Sequence, residues 1–199
     1  MPDAPATVPA GRRSDRTRAA ILAAARSAFS RDGYERATIR GIAGEANIDP
    51  SLVMRYYGSK DGLFAAATAF DLRLPTLEGV APDRAAAALV GHFLERWEGG
   101  LDDGALLVLL RSAVTNEVAA DRLRSVFAEQ VLPAVASVAG EDEAGLRAGL
   151  VATQMLGLAL CRYFLRLPPV AGLSGAEVVS LYAPLVQRCL SAPLPSAAP

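Results

Sequence analysis

The 23 residues TIRGIAGEANIDPSLVMRYYGSK, from Thr38 to Lys60, restrict the fold of this chain more than any other stretch. They carry two short helix signals separated by a three-residue turn. Thr38 is a helix-capping residue, since its hydroxyl can accept from an orphan backbone N–H. Ile39, Ile42, Ala43 and Ala46 then recur at the spacing of one apolar helix face. Asn47 tolerates the left-handed conformation that ends helices. Asp49 caps the next helix, with Pro50 at its first position, where a missing N–H costs nothing. A helix of about two turns is unstable alone, so a scaffold has to hold it. A short helix held at a fixed angle to its predecessor is the helix-turn-helix design, whose second helix enters the DNA major groove.

Spacing divides the second helix into faces. Val53 and Tyr57 share a side that meets Ile39, Ile42 and Ile48. Ser51 and Arg55 share the opposite side, flanked by Leu52 and Met54, with Tyr56 near the boundary. Arg suits bidentate pairing with guanine, Ser bonds to several bases, and apolar groups touch the thymine methyl. Taken alone, the same two helices also fit an ordinary helical hairpin with a solvated polar face.

The flanks extend the pattern. Upstream, a helix carries Ile21, Leu22, Ala25 and Phe29 on one face and stops at Gly33, followed by Tyr34. Downstream, Ser59 caps a further helix whose first large apolar residues are Leu63 and Phe64. Across residues 16–65 the order and spacing of ILAAARSAFSRDGY, ATIRGIAGEANID and YYGSKDGLF resemble the TetR/AcrR family of bacterial transcriptional regulators. The resemblance implies a three-helix DNA-binding head, a larger helical ligand domain, and a homodimer that binds inverted repeats. It places Tyr57 at the family's aromatic core position and Lys60 at its phosphate-binding lysine. Tyr56 stands in place of a histidine. Met54 stands in place of a tyrosine that donates to phosphate, and a thioether cannot donate. The expected DNA contacts are Thr38, Arg40, Pro50, Ser51, Leu52, Met54, Arg55, Tyr56 and Lys60.

Charge separates head from body. Residues 1–60 hold ten Lys plus Arg against six Asp plus Glu, whereas residues 61–199 hold ten against fifteen. The overall charge of −1 conceals a basic half suited to nucleic acid and an acidic remainder. Residues 1–13, rich in Pro and Ala, read as a disordered arm with no signal-peptide core. Arg12, Arg13, Arg16 and Arg18 at its end fit either a DNA-contacting arm or a solvated tail. Residues 14–58 are the expected DNA-binding domain, 59–192 a helical effector-binding and dimerisation domain, and 193–199 a disordered tail. The fold class is all-α.

Within 59–192, helices are expected from near Asp83 to Gly99, over GALLVLLRSAV, from about Glu117 to Gly140, from about Asp142 to a stop at Pro168-Pro169, and over the last apolar stretch. Pro133 and Pro184 should bend or break their helices by removing the hydrogen bonds to the Glu129 and Ser180 carbonyls. No uninterrupted apolar run reaches the ~18 residues of a membrane span. His92, the single histidine, reads as a partly exposed or pocket-edge residue. Cys161 and Cys189 lack metal-ligand spacing and read as buried, reduced thiols of a cytoplasmic protein. No catalytic, metal or cofactor motif is apparent, so no cofactor and no enzyme activity are expected.

The effector site is expected to gather Phe93 and Trp97 from one helix and Leu107, Leu110 and Arg111 from the next. Phe127 and Gln130 before Pro133, with Gln154, Cys161 and Tyr163 from the most apolar helix, complete it. Apolar walls with few polar anchors suit a small organic molecule, and Arg111 needs Glu95, Glu117 or an anionic ligand as partner. The dimer interface is expected on a stripe of Gly145, Gly149, Ala152, Leu156 and either Ala159 or Leu160, with Val178, Tyr182, Leu185 and Cys189 as a second stripe. These features describe a repressor released from inverted-repeat DNA by an apolar effector, with no membrane partner. Two other readings stay open. One is a helical binding protein or enzyme with a vestigial head, and the other is a nonspecific DNA-coating protein.

Overall fold

The computed structural model describes residues 10–69, 71–99 and 105–194, with side chains from residue 14 onward. Every regular element among them is helical: α1 (Ala10–Arg36), α2 (Ile39–Ala46), α3 (Pro50–Tyr57), α4 (Lys60–Ala67), α5 (Pro82–Glu98), α6 (Ala105–Ala113), α7 (Glu117–Val126), α8 (Leu132–Ala139), α9 (Glu141–Ala159), α10 (Pro168–Ala171) and α11 (Gly175–Ser191). Two π-helical turns, Phe127–Val131 and Leu160–Phe164, continue α7 into α8 and extend α9. Helix α1 already covers residues 10–13, which the sequence assigned to a disordered arm. The expected disorder of residues 1–9 and 195–199 lies outside the described residues.

The chain forms two units, and their boundary differs from the one at residue 58. The first unit joins α1–α4 to α6 and to α7 as far as Leu123; the second holds α5, α8–α11 and the loop that begins at Asp71. In the first, Ile21, Phe29, Ile42, Val53, Leu63 and Phe64 form one core with Val108 and Leu109 of α6 and Ala119 of α7. Phe64 sets its ring edge against Phe29 and Tyr34, with centroids 5.0 and 5.1 Å away. At Gly33 (φ 75°, ψ 169°) α1 departs from helical geometry. A side chain with a Cβ adopts that backbone only with strain, so the expected stop appears as a kink before the final turn to Arg36.

In the second unit α5 lies against α11, and α9 packs on both α8 and α11. Leu89, Val90, Val135, Val151, Leu158 and Val186 are central to its core. Arg147 is buried in α9 and donates to Glu143 (2.6 and 2.8 Å) and to the carbonyls of Cys189 (3.0 Å) and Ala192 (2.9 Å), tying α9 to the end of α11. Ser174 and Glu177 form a reciprocal capping box at the start of α11.

The prolines act differently from expectation. Pro133 neither breaks its helix nor stands in its interior. The π turn widens the ladder, the Leu132 N–H bonds the Phe127 carbonyl five residues back, and Pro133 falls in the first turn of α8, where its missing donor is tolerated. Pro184 sits inside a continuous α11. Pro168 begins α10 instead of merely stopping α9.

The 24 residues Glu141–Phe164 form a helix long and apolar enough, by length and composition, to cross a membrane. Three acidic residues open it, however, and two buried arginines interrupt it. Its packing against α8 and α11 fits a core and interface helix.

Candidate nucleic-acid interface and ligand group

The head forms by local chemistry that the sequence already displays. Thr38 Oγ1 accepts from the Gly41 N–H at 3.0 Å and opens α2. Asn47 closes it in the left-handed region, at φ 54° and ψ 46°. Asp49 accepts from the Ser51 N–H at 2.7 Å, with Pro50 next to it as the first residue of α3. Ser59 caps α4 through the Gly62 N–H at 2.9 Å. Arg31 donates to Glu45 at 2.6 Å and to Asp32 at 3.0 Å, fastening the end of α1 to α2; both carboxylates raise its pKa.

Val53 is fully buried, and Tyr57 and Ile48 pack beside it. The opposite face of α3 is open: Pro50, Ser51, Met54 and Arg55 are exposed and Leu52 is half-buried, while Thr38 and Arg40 of the α2 segment are exposed too. The Ser51 hydroxyl donates to Asp49, which leaves its oxygen as an acceptor. Hydrogen bonds from Ser51 hold the Asp49 carboxyl below its usual pKa.

Tyr56 and Lys60 have partners the sequence did not foresee. The Tyr56 hydroxyl lies 3.4 Å from Ser14 Oγ, and the guanidinium groups of Arg18 and Arg55 lie 5.0 and 5.8 Å from its ring centroid. The Ser14 hydrogen bond, with the two cations behind it, lowers the phenol pKa. Lys60 donates to the Glu35 carbonyl at 3.1 Å and sits 4.4 Å from the Tyr34 ring centroid. Tyr34 in turn donates to Asp61.

The second unit brings Phe93, Trp97 and Tyr163 together. Trp97 and Tyr163 stack at 4.8 Å and 5°, with Phe93 5.9 and 6.1 Å from them. Two residues not foreseen join this group. Glu98 Oε1 accepts from Arg162 Nε at 2.9 Å and from the Tyr163 hydroxyl at 2.8 Å. Arg162 also donates to the Val170 carbonyl at 2.8 Å. Burial works against the Arg162 charge, yet its bonds to Glu98 and Tyr163 outweigh that and raise its pKa. Burial, reinforced by Glu98, pushes the Tyr163 phenol well above its ordinary value. The only trace of this in the sequence is Arg162 at the edge of an apolar run. Phe127 packs against the same unit's core, Gln154 is half-buried on α9, and Gln130 bonds Leu72.

Leu107, Leu110 and Arg111 belong to the other unit. Their helix α6 runs beside α1 and gives Val108 and Leu109 to the head core. Arg111 is exposed and reaches the Ser30 carbonyl at 3.5 Å, so the desolvation argument for an anionic ligand at Arg111 lapses.

The apolar surface of the second unit is also shifted from expectation. Ala159 and Val178 are buried in its core, and Gly149, Ala152, Tyr182 and Cys189 are half-buried. Leu156, Leu185 and Leu160, the alternative to Ala159, are exposed, joined by Leu146 and Leu181. Along α9 and into its π turn, exposed Leu146, Thr153, Leu156 and Leu160, with half-buried Gly149 between the first two, form a stripe at alternating spacings of three and four. Ala159 lies one position before Leu160 and is buried, while Ala152, one position before Thr153, is half-buried. Cys161 and Cys189 are free and half-buried instead of fully buried.

A three-helix head whose short, capped third helix exposes Ser51 and Arg55 defines a helix-turn-helix DNA-binding protein. The profile of bacterial regulatory proteins of the tetR family matches residues 21–67, and that of the tetracyclin repressor-like C-terminal domain matches residues 83–190. A TetR-family regulator from Streptomyces coelicolor A3 is 33% identical, with 88% of this chain and 95% of that chain covered and a TM-score of 0.64. A TetR-like transcriptional regulator from Rhodococcus sp. RHA1 shares the fold at 22% identity and TM-score 0.66, covering 94% and 100%. Another Rhodococcus regulator does so at 24% and 0.65, covering 87% and 95%. No curated protein sequence matches. The chain belongs to the TetR family and is a DNA-binding transcriptional regulator.

Proposed function

We propose that this regulator is a homodimeric repressor, acting in the cytoplasm without chemistry of its own, whose two heads occupy successive major grooves of an inverted-repeat operator. The observation that carries the dimer is the exposed leucine surface of α9 and α11, two adjacent helices of the second unit. Two such helices from each protomer make a four-helix interface about a two-fold axis. That axis matches the symmetry of an inverted repeat, with half-sites about one helical turn apart. In the head, Ser51 and Arg55 supply base readout, while Thr38, Tyr56 and Lys60 supply backbone contacts.

The effector proposed is a mostly apolar molecule held in the second unit near Phe93, Trp97, Tyr163 and Phe127, with Gln130 or Glu98 as polar anchor. It favours a conformer whose heads no longer match the two half-sites and so releases DNA. The experiment is selection of random DNA by the purified protein, followed by sequencing of the retained fragments. An enriched inverted repeat is expected. Fragments without a shared sequence, bound with a steep salt dependence, would refute the reading in favour of nonspecific coating.

A further inference from the structure

Leu72 is the second residue of the second unit, and both of its backbone polar groups are taken by side chains. Its N–H donates to Gln130 Oε1 at 2.7 Å, and its carbonyl accepts from His92 Nε2 at 2.7 Å. His92 comes from α5, and Gln130 from the π turn that follows α7. The chain then turns sharply: the Arg73 N–H bonds the Asp71 carboxylate at 2.9 Å, and Arg73 adopts φ 50°. Beyond it, Leu77 is buried, and Leu74 and Val80 pack on the same core.

The position of these bonds gives them their consequence. The chain passes between the two units three times: after α4, between α5 and α6, and after Leu123 within α7. Leu72 lies just past the first passage, and Gln130 lies on the helix that makes the last one. One hydrogen bond within the second unit therefore ties its first residues to the helix that re-enters it, and His92 anchors the pair to α5. Apolar packing is non-directional and permits the loop to slide. Two short hydrogen bonds to one residue fix its register.

We propose that His92 and Gln130 are positioning residues for DNA binding: by clamping Leu72 they hold the chain where it enters the second unit and so limit the freedom of the head. Restricting that freedom before binding lowers the entropy lost when two heads engage one site. The inference rests on DNA binding by the head; it uses Gln130 Oε1, and its test is run without effector.

The test uses the full-length protein and a DNA site selected by the wild type. His92→Phe keeps ring volume and removes the donor; Gln130→Leu removes the acceptor. His92→Gln and Gln130→Glu keep donor and acceptor respectively. The first two variants should speed amide exchange of residues 71–80 about tenfold, with α9 and α11 unchanged. They should weaken DNA binding about fivefold, the worth of one neutral hydrogen bond. The second two should restore both readouts. Should Gln130→Leu fail to fold, His92→Phe against His92→Gln carries the comparison alone. Unchanged exchange shows that the clamp holds nothing; faster exchange with unchanged or tighter DNA binding shows a purely structural bond. Either result overturns the proposal. A wild-type protein that selects no common site would instead refute the proposed operator recognition, leaving the exchange readout to judge the clamp.

Discussion

Replacing Leu181 and Leu185 by alanine probes the assembly on which operator symmetry depends. The two residues are 55% and 44% exposed on α11. Full burial of a leucine side chain contributes about 1.5–3 kcal/mol. The exposed fractions leave about 2 kcal/mol per protomer to be gained on association, and about 4 kcal/mol for the symmetric pair. Alanine retains Cβ, so the double substitution should cost the dimer about 3 kcal/mol, or roughly 100-fold in its dissociation constant. Neither leucine belongs to the core of the second unit, so helix content and the intrinsic stability of the protomer should hardly change. Sedimentation velocity over a concentration series reads the constant directly. A variant whose dissociation constant stays within about threefold of wild type would show that α11 does not form the interface. The same variant should bind a half-site as wild-type protein does and lose the advantage of the full inverted repeat.

Three further outcomes follow from the two units. Arg55→Ala should cost about 1–3 kcal/mol of specific binding and relax preference at one base position; an unchanged selected sequence would remove Arg55 from the groove. Lys60→Ala should weaken all DNA sequences alike and lower the salt slope by about one unit. An unchanged slope would mean that Lys60 serves only the Glu35 carbonyl and the Tyr34 ring. Because the folded phenol of Tyr163 has a raised pKa, the unfolded chain loses that proton first. The corresponding stability is fully present below the ordinary tyrosine pKa of about 10 and declines as pH rises above it. Tyr163→Phe should flatten the fall in urea midpoint between about pH 9 and about pH 11; an equal fall in both proteins would rule Tyr163 out as its source.

The parts of the fold legible in the sequence are those decided within one helical turn. Thr38, Asn47, Asp49 and Ser59 act on backbone groups no more than four residues away, and all four shape the ends of their helices as the residue types require. Val53 and Ser51 face opposite ways because a helix of known phase admits no other arrangement once one face is buried. The tetR-family resemblance carried the same region to a function, because its motifs lie on those local elements. The effector body was less legible. Every one of its helices is rich in Ala, Leu and Val, so periodicity does not reveal which side meets the core. Ala159 and Val178 therefore looked like interface residues and are buried, while Leu146 and Leu181 are exposed beside Leu156, Leu160 and Leu185.

By itself, then, the sequence determined the capped helix-turn-helix, its buried and open faces, and the helical class of the whole chain, since caps, turns and apolar phase act between neighbours. Only the tertiary structure decided that α6 and its Arg111 belong with the head. It alone joined Glu98 to Arg162 across 64 residues, and Leu72 to His92 across 20 and to Gln130 across 58. Such contacts depend on which helices pack together. That choice minimises exposed apolar surface over each unit as a whole, and no local window of sequence contains it.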